Sequence, residues 1–205
     1  MYFYCVQLSQ IENLFVYSIE TFHWKKTINN INQLLERCKK GDNAAQMQIY
    51  KDYYRAMYNT SLRILKDEFE AEDMMQEAFL TAFTKLDTFI GEVTFGAWLK
   101  RIVINKSLTQ LKKNNKYQDV KMEVIKDTSI ETEEAIDYTS LHAGKVLETL
   151  NSLKENYRIV LNLNLIEGYD YEEIAKILGY TNENVRTTIS RAKKKLKQLL
   201  VLETA

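Results

Sequence analysis

The hydrophobic positions of the chain repeat at the spacing of amphipathic helices from residue 31 onward, at intervals of three or four residues rather than the two of a strand. The first stripe consists of Ile31, Leu34, Leu35 and Cys38. Gly41 followed by Asp42 is typical of a helix end and of the N-cap of the next helix. A second helix is therefore predicted over residues 44–66.

Two further helices are predicted in the same half of the chain. The third covers residues 70–86, and its apolar stripe is Met74, Met75, Ala78, Phe79, Ala82, Phe83 and Leu86. The fourth begins after Thr94, a suitable N-cap, and ends near Tyr117. Trp98 lies on the apolar side of this helix with Phe95 and Ile102, so a core position is favoured over stacking on a nucleic-acid base.

The character of the sequence changes after the fourth helix. Residues 118–140 hold seven acidic and two basic residues, a net charge of minus five, and show weak periodicity. Such a segment is typical of a linker. Apolar periodicity returns from residue 141, where two helices are predicted before a stop at Gly168. The expected fold is all-α, with two small helical domains joined by an acidic linker.

Residues 170–200 carry the strongest local pattern. Asp170 and Glu173 have the spacing of a capping box, and Gly179 ends the short helix that they open. Thr181 or Asn182 then caps a long helix. Its predicted buried seam is Val185, Ile189, Ala192, Leu196 and Leu199. This order of helix, glycine-containing turn and helix predicts a helix-turn-helix, whose second helix enters the major groove of DNA.

The charge of the second helix favours nucleic acid as its partner. Between residues 186 and 197 there are six basic residues and no acidic one: Arg186, Arg191, Lys193, Lys194, Lys195 and Lys197. Cations along an exposed helix face can bind phosphates, and amide and guanidinium groups can read base edges. Taken alone, the pattern leaves open a solvated, Lys-rich helix that is packed only through its apolar seam.

Composition narrows the class of protein. The chain has no proline and only six glycines among 205 residues, which favours long helices. Lys plus Arg equals Asp plus Glu, at 28 each, so net charge does not indicate a partner. Two cysteines and two distant histidines predict neither a disulfide framework nor a metal site. The sequence has no apolar run of about 20 residues, the length that a membrane span needs, so no membrane span is predicted. We expect no cofactor, no catalytic cluster and a cytoplasmic protein.

Three segments, in a fixed order, resemble the extracytoplasmic-function group of sigma-70-type RNA polymerase sigma factors. The segment 67–86, DEFEAEDMMQEAFLTAFTKL, is similar to the polymerase-binding helix of that family. The segment 95–113, FGAWLKRIVINKSLTQLKK, is similar to the part that melts the promoter. The third segment is the helix-turn-helix. The resemblance covers about residues 31–200 and implies region 2 over 31–117, a linker over 118–140 and region 4 over 141–205.

The resemblance implies a role for each set of side chains. The expected polymerase-binding residues are Glu72, Asp73, Gln76 and Glu77. The expected contacts with melted promoter DNA are Arg101, Asn105, Lys106, Thr109, Gln110, Lys112 and Lys113. The expected helix-turn-helix contacts are Asn182, Glu183, Asn184, Arg186, Thr187, Ser190, Arg191 and Lys194. It further implies three partners: core RNA polymerase, promoter DNA as duplex and melted strand, and an anti-sigma factor. No small-molecule substrate is implied.

The sequence departs from the family at several points. Lys154 follows Leu153 where the family usually has proline, and Arg186, Thr187 and Thr188 replace a basic-serine-basic run, so the promoter sequence cannot be carried over. Residues 1–30 match nothing in the family; a disordered tail or a misassigned start is favoured over a regulatory arm.

Two alternative functions stay open: a helix-turn-helix regulator that is not a polymerase subunit, and a helical adaptor without a DNA role.

Overall fold

All the regular secondary structure is helical in the part of the protein that the computed structural model describes, residues 28–117 and 143–202. The α-helices within these ranges are α1 (Ile28–Lys39), α2 (Asn43–Leu65), α3 (Glu68–Thr84), α4 (Phe95–Tyr117), α5 (Ala143–Ser152), α6 (Glu155–Leu161), α7 (Tyr171–Leu178) and α8 (Asn182–Leu202). Helices α1–α4 form one compact unit and α5–α8 belong to another. The all-α prediction is confirmed. The predicted linker, 118–140, lies outside the described residues, as do residues 1–27 of the predicted N-terminal extension.

Helices α2, α3 and α4 of the first unit pack against one another, and α1 packs against α2. Its core joins the apolar stripes of the four helices, including Leu34, Ile49, Met75, Phe79, Leu99 and Val103. Burying one such side chain contributes about 1.5–3 kcal/mol. The stripe predicted on the third helix is therefore core, although Met74 and Phe83 at its edges are half-buried. Met47 and Tyr54 of the predicted second helix are exposed. They lie seven residues apart and so share one face of α2, which is turned away from the neighbouring helices.

An aromatic cluster closes one part of this core. The Trp98 ring lies 5.3 Å from the Phe89 ring and 5.8 Å from the Phe95 ring, measured between centroids, and Tyr53 meets Phe95 edge to face at 5.6 Å. These distances are typical of stabilising aromatic pairs. Burial raises the pKa of the Tyr53 hydroxyl. The Trp98 side chain is half-buried in this cluster, in agreement with its predicted position on the apolar side of the helix.

Local capping chemistry sets the helix boundaries. Asp42 caps α2 by accepting hydrogen bonds from the backbone N–H groups of Ala44 (2.9 Å) and Ala45 (3.2 Å). The Arg37 side chain donates to the same carboxylate, at 2.8 Å, and lowers the pKa of Asp42.

The predicted third helix was too long at its end: α3 stops at Thr84, and Leu86 lies in a separate 3-10 turn, Leu86–Thr88.

One buried polar contact joins α2 to α4. Ser61 and Ser107 are both fully buried, and their hydroxyl oxygens are 2.8 Å apart. Replacing either serine by alanine should lower the free energy of unfolding of this unit by about 1–2 kcal/mol, because the remaining hydroxyl loses this partner away from water. The double alanine variant should cost less than the sum of the two single variants. Urea unfolding followed by Trp98 fluorescence, in a Trp24→Phe background, measures both; additive costs would contradict the prediction.

The second unit is built around α8, which packs against α5, α6 and α7. Its large, fully buried apolar side chains are Leu150, Val160, Leu161, Leu163, Ile174, Val185 and Ile189. The predicted helix that stops at Gly168 is in two parts: α6 is followed by a π-helical turn, Asn162–Ile166, closed by the Glu167 N–H donating to the Asn162 carbonyl at 2.9 Å. Gly168 itself has φ of +79°, which suits glycine and ends the helix.

The helix-turn-helix forms as its capping residues predict. Asp170 accepts from the Glu173 N–H at 2.8 Å, and the Glu173 carboxylate accepts from the Asp170 N–H at 3.0 Å, which completes the capping box. Gly179 ends α7 with φ of +73°. Thr181 is the residue that caps α8, since its hydroxyl oxygen accepts from the Asn184 N–H at 3.2 Å.

The buried seam of α8 differs from the prediction at its last position. Leu200 is 3% exposed, whereas Leu199 is half-buried. A straight helix of 3.6 residues per turn drifts by about 20° from each strict seven-residue repeat, so Leu199, two repeats after Val185, is turned about 40° away from it around the helix.

Candidate protein-docking and nucleic-acid interfaces

Helix α3 separates a buried face from an acidic face. Its buried side chains are Ala71, Met75, Ala78, Phe79 and Ala82. The predicted docking residues, Glu72, Asp73, Gln76 and Glu77, are all exposed and lie one and two positions after the buried residues 71 and 75. The Gln76 amide donates to the Glu72 carboxylate at 3.2 Å, which aligns the two side chains along the face. The structure thus gathers all four predicted residues on one surface, called here the α3 acidic face.

An apolar groove that the sequence analysis missed borders this face. Its lining residues are Tyr50, Gln76, Phe79, Leu80 and Phe83. Leu80 is 68% exposed although it is a large apolar side chain. Its position, four residues after Gln76 and outside the buried stripe, was the available signal. A single exposed leucine is normal on a protein surface, and it is the neighbouring Phe79 and Phe83 that make Leu80 part of an apolar surface. The acidic face therefore has an apolar neighbour suited to protein contact.

A polar seam joins α3 to α4. The Lys106 ammonium lies 3.0 Å from the Glu77 carboxylate. Further along the antiparallel pair, Asn114 donates to both oxygens of Glu70 at 2.9 and 2.8 Å, and Gln110 donates to one of them at 3.2 Å. Lys106, Gln110 and Asn114 are four residues apart and so form one ridge of α4. Two predicted DNA contacts, Lys106 and Gln110, therefore face α3 in this structure.

The solvent face of α4 carries four of the five other predicted contacts. Asn105, Thr109, Lys112 and Lys113 are exposed, and their spacing of four, three and one places them on one side of the helix. The Thr109 hydroxyl donates to the Asn105 carbonyl at 2.7 Å, which leaves its oxygen able to accept another hydrogen bond. Arg101 is half-buried. The basic and amide side chains of α4 are thus divided between a solvent face and the polar seam.

All the predicted contacts of α8 lie on its solvent side. Asn182, Glu183, Asn184, Arg186, Thr187, Ser190, Arg191 and Lys194 are exposed, opposite the buried seam that begins at Val185. Two of them touch neighbouring side chains. The Thr188 hydroxyl donates to the Asn184 side-chain oxygen at 3.0 Å, and the guanidinium carbon of Arg186 lies 5.8 Å from the centre of the Tyr171 ring. A continuous polar and cationic surface results, with its base-reading candidates at the N-terminal end of the helix.

Neither a metal centre nor a membrane span is formed by the described residues. Within 28–117 and 143–202, no three His, Cys, Asp or Glu side chains are grouped so that they could hold a metal ion. Among the helices described, none combines the length with the apolar character required to cross a membrane.

Comparison with known proteins gives two family matches in this chain. Residues 49–117 match the family described as Sigma-70 region 2, and residues 143–196 match Sigma-70, region 4. The chain is 29% identical to RNA polymerase sigma-H factor of Pseudomonas aeruginosa, over 82% of this chain and 92% of the relative. It is also 29% identical to ECF RNA polymerase sigma factor SigW of Bacillus subtilis, over 83% of this chain and 96% of the relative.

A solved structure is similar to both units. It is that of the sigma factor RpoE of Bartonella quintana in complex with the anti-sigma factor NepR, with a TM-score of 0.52 and 26% sequence identity. The similarity covers 75% of this chain and 95% of that one. The helical architecture described above is therefore shared with a sigma factor of known structure.

Proposed function

This chain belongs to the extracytoplasmic-function group of sigma-70-type RNA polymerase sigma factors, and we propose that it acts through three surfaces, one each on α3, α4 and α8. As a sigma factor it directs core RNA polymerase to specific promoters, where transcription starts. The observation that carries this conclusion is the presence of region 2, over 49–117, and region 4, over 143–196, in that order in one chain. On the same basis we assign region 2 to 31–117, the linker to 118–140 and region 4 to 141–205.

The surface on α3 binds core polymerase in this proposal. Glu72, Asp73, Gln76 and Glu77 supply charge and hydrogen-bonding groups, and they are exposed on one face. Leu80 in the adjoining groove adds apolar area that a partner can cover. Charge complementarity speeds encounter and sets orientation, while burial of apolar area supplies affinity. The combination supports docking of a basic partner with an apolar side chain at its centre.

The surface on α4 captures the melted strand. Asn105, Thr109, Lys112 and Lys113 are the exposed members of the predicted set, and cations with amides suit a single strand whose phosphates and base edges are accessible. Arg101, Lys106 and Gln110 are the remaining members. Lys106 and Gln110 face the polar seam, so their contact with DNA would require them to leave Glu77 and Glu70.

The surface on α8 reads duplex DNA upstream of the melted element. Asn182, Glu183, Asn184, Arg186 and Thr187 lie in the first turns, where a recognition helix meets base edges. Ser190, Arg191 and Lys194 continue the exposed side and suit phosphate contacts. Buried Val185 and Ile189 hold this helix against α7 and the other helices of the unit, so the reading surface has a rigid support.

The partners of the chain follow from these surfaces. They are core RNA polymerase, promoter DNA in duplex and melted form, and an anti-sigma factor; RpoE of Bartonella quintana was solved with such a factor. Sigma factors are not themselves catalysts, and we propose that this chain likewise supplies binding energy while polymerase performs the chemistry, without cofactor or small-molecule substrate. Its place of action is the cytoplasm, where polymerase meets the chromosome.

Run-off transcription on a pooled promoter library tests the proposal. Purified core polymerase from a related bacterium should initiate at a defined subset of promoters only when this chain is added, since the chain supplies promoter recognition. A reaction without the chain is the control. Specific duplex binding without initiation would contradict the proposal and favour the helix-turn-helix regulator instead.

A further inference from the structure

Tyr171 is the first residue of α7, and its ring lies beneath a predicted base-reading side chain. The guanidinium carbon of Arg186 is 5.8 Å from the ring centroid, within the range of a cation–π contact. Tyr171 is half-buried and Arg186 is exposed. The ring therefore offers a fixed support to a long, flexible side chain that otherwise extends into solvent.

The helix-turn-helix itself holds the two residues in register. Ile174, three residues after Tyr171, and Val185, directly before Arg186, are both fully buried. The capping box at Asp170 fixes the start of α7, and Thr181 fixes the start of α8. Because both backbones are anchored beside the contact, the fold keeps the Tyr171 ring within reach of the Arg186 guanidinium.

A cation–π contact leaves the reading capacity of arginine intact. A guanidinium that lies over an aromatic ring uses its face, whereas its N–H donors point outward in the plane of the group. Those donors form the paired hydrogen bonds by which arginine recognises guanine. Arginine also loses considerable rotamer freedom when it binds, so a side chain already restricted in the free protein loses less.

We propose that Tyr171 is a positioning residue that holds Arg186 by its ring and thereby sharpens base selection at the position that Arg186 reads. This inference rests on the proposed function of Arg186 in base recognition. An exposed cation–π contact corresponds to a change in discrimination of about two- to fivefold. The hydroxyl group of Tyr171 has no part in the effect, so phenylalanine should replace tyrosine.

The experiment uses the full chain bound to core polymerase, with Tyr171→Leu, Tyr171→Phe, Arg186→Gln and the double variant Tyr171→Leu with Arg186→Gln. Selection from a duplex library randomised in the upstream element gives the base preference at each position. Arg186→Gln should change the preference at one position. Tyr171→Leu should reduce discrimination at that same position about two- to fivefold, Tyr171→Phe should retain it, and the double variant should match Arg186→Gln alone.

A second readout separates the contact from its function. In the free chain, the NMR signal of the Arg186 Nε–H should carry a ring-current shift in the natural protein and in Tyr171→Phe, and lose it in Tyr171→Leu. Equal losses of discrimination in the Phe and Leu variants would overturn the proposal, as would unchanged discrimination in Tyr171→Leu. If Arg186→Gln changes the base preference at no position, Arg186 does not read a base. The proposal then fails as well, even where the ring-current shift shows that the contact exists.

Discussion

Charge reversal at Asp73 and Glu77 should lower the affinity of this chain for core RNA polymerase by about 30-fold or more, equivalent to about 2 kcal/mol. Both carboxylates are exposed on the α3 acidic face, beside the apolar groove that contains Leu80. Lysines at these positions would oppose a basic partner where the natural residues attract it. Polymerase titration into fluorescently labelled chain measures the affinity, and binding of the same variant to isolated duplex DNA should be unchanged.

The matched control is reversal at two other exposed carboxylates of the same unit. Asp52→Lys with Asp87→Lys makes the same change in net charge from α2 and from the 3-10 turn. This control should keep its affinity within about threefold, because charges outside an interface act weakly through salt solution. Equal losses in both double variants would mean that net charge, not the α3 acidic face, governs the interaction.

Glu77 needs a further variant because it also pairs with Lys106 across the polar seam. Reversal at Glu77 places a second cation beside Lys106 and so disturbs α4 as well as the docking surface. Asp73→Lys alone leaves that pair intact, and Lys106→Gln removes the pair while keeping both carboxylates. A loss of polymerase binding in Asp73→Lys, with little change in Lys106→Gln, assigns the effect to docking. The reverse result would contradict the assignment of Asp73 to the interface.

Those features of the fold that depend on neighbouring residues were predictable from the sequence. Asp42, Asp170 and Gly179 mark helix boundaries because caps act within one turn of the backbone, and the structure has each boundary where its cap predicts. The exposed set on α8 was likewise predictable, since a buried seam at Val185 and Ile189 leaves the opposite side to solvent.

Contacts between helices were not predictable in the same way. The Lys106–Glu77 pair joins residues 29 apart, and the Asn114–Glu70 contact joins residues 44 apart. Which ridge of α4 meets α3 depends on how the two helices rotate and cross, and periodicity fixes only that an apolar side is buried. From the sequence alone, Lys106 and Asn105 are therefore equivalent candidates for DNA contact. In the structure Lys106 faces the polar seam and Asn105 faces solvent.

This difference also explains why the candidate site is better defined on α8 than on α4. On α8 every predicted contact is exposed, because polar residues occupy the whole side opposite the seam. On α4 the polar residues occupy two faces, and one of them is used for packing against the acidic helix. A basic helix beside an acidic one can satisfy its charges within the protein, so residue type alone cannot assign each lysine to DNA.

Replacing Lys193 and Lys194 of α8 by glutamine should weaken duplex binding by roughly 50-fold at about 0.1 M salt, if each lysine contacts one phosphate. Each phosphate contact releases close to one counterion, so the slope of log K against log salt should become less steep by about 1.8. Lys194 is exposed on the predicted contact side, and Lys193 is half-buried beside it. Fluorescence anisotropy of duplex binding at several salt concentrations gives both quantities.

The control variant is Lys85→Gln with Lys154→Gln, which removes two exposed charges outside α8 and should keep the natural slope. The base preference should stay that of the natural protein, because Arg186 is untouched and phosphate contacts carry no sequence information. An unchanged slope in the α8 variant would exclude these two lysines from the DNA interface.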